Sequence, residues 1–84
     1  MVTDMPTGKI PGCPYRFFFY SNEAGEPPHI HVAQSGNEAK FWLGQPVTLA
    51  GNDGFAAHEL TKIKRLIIEH ENTIQQAWNE HFSF

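Results

Sequence analysis

A single cysteine, Cys13, stands among 84 residues. That rules out an internal disulfide framework and any cysteine-based zinc cluster, and it fits a reducing compartment. Long apolar runs are missing too. The longest is Phe17-Phe18-Phe19-Tyr20, far short of the roughly 20 residues a membrane helix requires. Residues 1–12 hold no apolar segment of the signal-peptide kind. Positive charge is scarce: six Lys plus Arg face nine Asp plus Glu, for a net charge of -3. A generic electrostatic route to nucleic acid or anionic membrane is therefore closed, and such a partner would need a local patch. No repeat, no Ser-His-Asp arrangement and no glycine-rich loop leading into a helix can be traced. The expectation is a soluble cytoplasmic protein with no membrane association.

What is present suffices for a fold. Apolar residues make up 40% of the chain, and a chain of this size buries about 60 to 65% of its unfolded surface around one core. One domain spanning residues 1–84 is expected. Pro6, Gly8, Pro11, Gly12 and Pro14 forbid helix near the start, so residues 1–14 read as a loosely held, extended arm. Residues 15–20 are aromatic and β-prone, and the Asn, Gly and double Pro of 21–28 mark a long loop. A second strand is expected over 29–33, a turn at Gln34-Ser35-Gly36-Asn37, and an alternating strand over 38–43. Gly44-Gln45-Pro46 breaks the chain before a short edge strand at 47–50. A further turn is expected at Gly51-Asn52-Asp53-Gly54.

Beyond Ala56 the period becomes helical. Leu60, Ile63, Ile67, His70, Ile74, Ala77 and His81 fall three and four apart, which predicts one amphipathic helix over about 55–82. No Gly or Pro forces a break, and Asn72-Thr73 is the place where two helices would divide. Phe55 and Leu60 have hydrophobic-staple spacing with Glu59 at the capping-box position. Ala56 is a poor N-cap, which lets the start slide toward Asp53. The predicted class is α+β: an antiparallel sheet of three to four strands over 15–50, with one long C-terminal helix packed on one face.

A two-residue turn at Ser35-Gly36 pairs Ile30 with Phe41 and Val32 with Ala39 on one face, and His29 with Trp42 and His31 with Lys40 on the other. A slip of one residue would mix the apolar and polar sets. The first strand adds Phe17 and Phe19 to the apolar face. The second face then carries Arg16, Phe18, Tyr20, His29, His31, Glu38, Lys40 and Trp42, with only the N-terminal arm to cover it. An aromatic, mixed-charge face of that kind reads as a binding surface or a site.

His29-Ile30-His31 is its sharpest feature, because residues i and i+2 of a strand project the same way and their rings can converge on one ligand. A metal would need a third donor from Glu26, Glu38 or another histidine, and the positive Lys40 opposes a bound cation. No metal or cofactor is assigned. A metal-independent ribonuclease is a second reading: His29 and His31 would exchange proton roles while Lys40 and Arg16 steady a phosphate. Phe18, Tyr20 and Trp42 would stack bases. The architectural reading has both histidines hydrogen-bonding loop carbonyls released by Pro27 and Pro28, which locks the entry to the strand. His70 and His81 read as core or rim residues, Trp78 as a packing anchor, Asn72 and Asn79 as solvated. Lys62, Lys64 and Arg65 read as a solvated turn, and Cys13 as an ordinary thiol.

The strings Tyr15-Arg16-Phe17-Phe18-Phe19-Tyr20-Ser21-Asn22-Glu23, Pro27-Pro28-His29-Ile30-His31-Val32 and Glu38-Ala39-Lys40-Phe41-Trp42-Leu43 resemble the small bacterial family called domain of unknown function 4160. The likeness continues through Phe55, Glu59-Leu60 and the closing Ala77-Trp78-Asn79-Glu80-His81-Phe82. The chain departs from the pattern at Ala56-Ala57, where the family often starts its helix with Ser-Pro. The resemblance marks Pro28, His29, His31, Lys40, Trp42, Trp78 and Asn79 and gives none of them a role. It implies genes paired in toxin-antitoxin-like modules, hence a small protein partner encoded nearby, and it sets neither the toxic member nor the oligomeric state. On this reading the protein binds a partner through Phe18, Tyr20, Trp42 and Pro28, or through the 47–50 edge strand. RNA is the substrate of the ribonuclease alternative, for which Arg16, His29, His31 and Lys40 would be catalytic.

Overall fold

The computed structural model describes the backbone of residues 2–4, and residues 14–20 and 25–82 in full. Cys13, most of the N-terminal arm and residues 21–24 of the first long loop lie outside the described residues. The antiparallel sheet has five strands in simple sequence order. They are β1 (Val2–Asp4), β2 (Arg16–Tyr20), β3 (His29–Gln34), β4 (Asn37–Trp42) and β5 (Thr48–Asp53), followed by the helices α1 (Ala57–Glu69) and α2 (Glu71–His81). The α+β class is as expected. The strand count is not, because residues 2–4, read as part of an extended arm, pair with β2. Three residues alone carry too little pattern to announce a strand.

The β3-β4 hairpin has the expected register throughout, with His29 opposite Trp42, Ile30 opposite Phe41, His31 opposite Lys40 and Val32 opposite Ala39. Its turn is set by Ser35 and Gly36, both at positive φ (51° and 84°), the arrangement whose twist matches that of the flanking strands. In β2 the alternation sends Phe17 and Phe19 inward, and Phe18 pairs with His31. The core is formed by Phe17, Phe19, Ile30, Val32, Ala39 and Phe41 from the sheet and Ile63, Ile67, Ile74 and Trp78 from the helices, closed at its margin by Tyr15, Val47 and Phe55.

The strand bounds shift by one residue in β3 and β4 and by more in β5. The last strand begins at Thr48 and runs through Asp53, so the residues Gly51, Asn52 and Asp53 are strand, not turn. A bulge between Lys40 and Phe41 leaves Ala50 without a partner of its own and puts Gly51 opposite Lys40, a setting in which glycine is tolerated inside a strand. Direction changes only at Gly54 (φ 106°). The helix start does not slide to Asp53, since Asn52 fixes it: its Oδ1 accepts from Phe55 N at 3.1 Å and its Nδ2 donates to Phe55 O at 3.0 Å. Ala56 caps without a side chain. Glu59 is drawn instead to the Tyr15 hydroxyl, which donates to it at 3.0 Å.

The single long helix is two, divided at His70 (φ -114°, ψ 21°). A straight rod over residues 57–81 would extend about 37 Å, whereas five strands span only about 19 Å. Turning at His70 keeps Ile74 and Trp78 over the sheet. Gly44 N, donating to Glu71 Oε2 at 3.3 Å, ties the start of α2 to the β4-β5 loop.

Candidate functional site

The second face of the sheet holds the residues singled out in the sequence, and its geometry is that of a small aromatic and imidazole lattice. His31 lies at its centre. Its ring stacks on Phe18 (centroids 5.4 Å, planes 19° apart) and meets Tyr20 edge-on at 4.6 Å and His29 edge-on at 5.2 Å. His31 Nδ1 is 3.7 Å from Glu38 Oε2, and the Tyr20 hydroxyl donates to the same carboxylate at 3.3 Å. Alternation in β2, β3 and β4 is what brings Tyr20, His31 and Glu38 to one side. Arg16 lies over Phe18, its guanidinium carbon 4.7 Å from the ring centre.

This face was expected to be open, and at its centre it is closed. His29 is 0% exposed, His31 6% and Phe18 2%. His29 sits where the two faces meet at the end of β3. Trp78 of α2 comes within 4.8 Å of its ring and Trp42 within 5.5 Å, so the end of the second helix seals an imidazole assigned to the far side. His29 Nδ1 is 2.9 Å from Pro27 O. A carbonyl only accepts, so Nδ1 carries the proton. Leu43 N donates to Pro28 O at 3.0 Å, and the carbonyls of both prolines are thereby engaged. His29 thus makes a carbonyl contact of the kind the architectural reading expects, while His31 turns to Glu38.

Lys40 is engaged within the chain. Its Nζ is 2.6 Å from Glu26 Oε1 and 4.5 Å from the Trp42 ring centre, so the side chain leans along β4 away from Glu38. Between β3, β4 and β5 an open cleft of about 380 Å³ is lined by His31, Glu38, Lys40, Gly51 and Asp53, among others. His31 and Lys40 reach it, whereas His29 and Arg16 are not part of its lining. Sequence reasoning placed Glu38 on this face as a candidate third metal donor and missed Asp53, because residues 51–54 were read as a turn. Among the described residues no group of three or more His, Cys, Asp or Glu is arranged to hold a metal ion. Trp78 packs as the anchor expected of it, against Phe19 (5.5 Å) and Phe82 (4.1 Å). His81 stacks on Phe19 at the rim, and Asn72 and Asn79 are exposed. No described helix is long and apolar enough to cross a membrane.

Fold and face together define a small α+β protein with two buried imidazoles on its antiparallel sheet, one of which, His29, meets Trp78 of the second helix. The chain belongs to the family described as Domain of unknown function (DUF4160), whose model matches residues 15–79, from the start of β2 into α2. No curated protein and no solved structure matches it.

Proposed function

We propose that this protein is the partner-binding component of a two-gene, toxin-antitoxin-like module of the bacterial cytoplasm, and that it takes its protein partner along β5. The observation that supports this is the character of that strand. β5 is outermost in the sheet, and all six of its residues are exposed. It has neither Pro nor Lys to blunt its edge, and its Leu49 is 45% exposed. An edge of this length offers backbone donors and acceptors to an incoming strand. Burial of His29 and His31 favours this border over the centre of the imidazole face.

The experiment is co-expression with the product of the adjacent gene, purification through a tag on this chain, and amide hydrogen exchange over residues 48–53. Complex formation should slow exchange there, and Leu49→Lys, at an exposed position, should weaken the complex while leaving the fold intact. A complex whose footprint spares β5, or no complex at all, would overturn the reading.

The metal-independent ribonuclease is the second reading, favoured by the presence of His31 and Lys40 in one cleft. The sealed His29 and the Lys40-Glu26 pair weigh against it. Growth arrest on expression of the gene alone, relieved in folded His29→Ala and His31→Ala variants and accompanied by RNA cleavage, would establish it in place of the first.

A further inference from the structure

We infer that the segment joining β5 is basic, and that it lays an arginine or lysine side chain into the cleft above Gly51, between Glu38 and Asp53. The inference rests on the strand-addition reading above and adds the chemistry of the partner. Glu38 and Asp53 are direct cross-strand partners on the same face, and like charges so placed repel one another. The Tyr20 hydroxyl and His31 attend Glu38 from the β2-β3 side, and a cation on the β5 side would relieve the repulsion that remains. The cleft's own cation does not, because the Lys40 ammonium is held by Glu26 and the Trp42 ring at the other side of its strand position.

Gly51 supplies the way in. It opposes Lys40 in register, and a Cβ built on it would meet nothing within 4 Å, so β5 is bare at the point where a side chain must cross. A strand added beyond β5 would lie two strand spacings, about 10 Å, from β4. A long, extended basic side chain on the same face bridges most of that distance, meeting Asp53 first and then the exposed part of Glu38, whose side chain is 43% accessible. Arginine suits the site best, since its planar fork offers donors to two carboxylates at once. With Glu26, Glu38 and Asp53 against Lys40 on this part of the face, a phosphate backbone would be repelled, so a basic polypeptide is favoured over RNA.

The probe is an acetylated hexapeptide of alternating arginine and valine, with a glutamate-valine hexapeptide as control, titrated into the isotopically labelled full chain and followed by amide chemical shifts. The arginine peptide should shift residues 48–53 and Glu38. Its affinity should fall steeply between about 20 and about 200 mM salt. The double variant Glu38→Gln, Asp53→Asn should weaken it about tenfold, with the same spectra reporting that the variant is folded. Equal binding of both peptides, unchanged affinity in the folded double variant, or binding of single-stranded RNA at the same residues would overturn the inference. If the natural partner protects β5 equally in wild type and double variant, the charge inference falls while strand addition stands. If neither peptide nor partner protects β5, strand addition itself falls.

Discussion

Truncating Trp78 tests the junction between helix and imidazole face. Its ring is 6% exposed and lies 4.1 Å from Phe82, 4.8 Å from His29 and 5.5 Å from Phe19, centroid to centroid. Removing a buried tryptophan side chain costs about 3 to 5 kcal/mol in lost transfer energy and cavity formation. Aromatic pairs of this kind contribute about 0.5 to 1.5 kcal/mol each beyond their area, which places Trp78→Ala toward the upper end of that range. A domain of this length has a total stability of about 4 to 13 kcal/mol. The variant therefore loses a third or more of what holds it folded, and its Tm should drop by about 15 to 30 °C. Urea and thermal unfolding followed by circular dichroism measure the loss, and Trp42 remains as the fluorescent reporter. A second readout isolates the seal over His29, namely its rate of modification by diethyl pyrocarbonate. Wild type should react slowly at His29, and Trp78→Phe, which keeps a ring there, should be intermediate in both measurements. A loss below about 1 kcal/mol with unchanged His29 reactivity would refute the claim that this side chain closes the site.

Other substitutions probe other parts of the argument. Gly54→Ala should cost about 1 to 3 kcal/mol by thermal melting, because φ is 106° and the new Cβ would collide with Asn37 Oδ1. Asn52→Ala removes both bonds to Phe55 and should lower stability by about 1 to 2 kcal/mol, with an unchanged Tm counting against the clamp. Ser35→Asn should stabilise by about 0.5 kcal/mol, since asparagine accepts the positive φ at the first central position of this turn more readily than serine. Lys40→Met should cost less than about 1 kcal/mol, because its partner Glu26 is 41% exposed and the pair is screened. The deficit should shrink further in about 0.5 M salt, and a larger, salt-independent loss would show that the pair organises the face.

Much of the sheet was legible because its signals are local. Ser35-Gly36 selects a tight hairpin, and strict alternation on both sides of it permits only one register. The pairing of His29 with Trp42 and of His31 with Lys40 therefore follows from a dozen consecutive residues. The convergence of the two imidazoles is a further consequence, with rings 5.2 Å apart. The helical period likewise identified Ile63, Ile67 and Ile74 as buried, with Leu60 packed against them. Less legible was the last strand, where Gly51, Asn52 and Asp53 have turn chemistry in isolation and become strand because a bulge lets β4 keep them in its ladder.

Periodicity and turn chemistry act over neighbouring residues, and they suffice for the α+β class, the hairpin register and the segregation of an oily face from one bearing imidazoles. Which groups on that second face meet solvent was decided by contacts between distant parts of the chain. Trp78 closes over His29 only because the helix turns at His70, and no Gly or Pro marks that turn; it follows from the mismatch between a long rod and a narrow, twisted sheet. Lys40 meets Glu26 because the loop carrying that carboxylate folds back toward β4. Burial and charge pairing are properties of the assembled surface, and they turned an expected open face into one sealed at its centre and bordered by an acidic cleft and the exposed β5 edge.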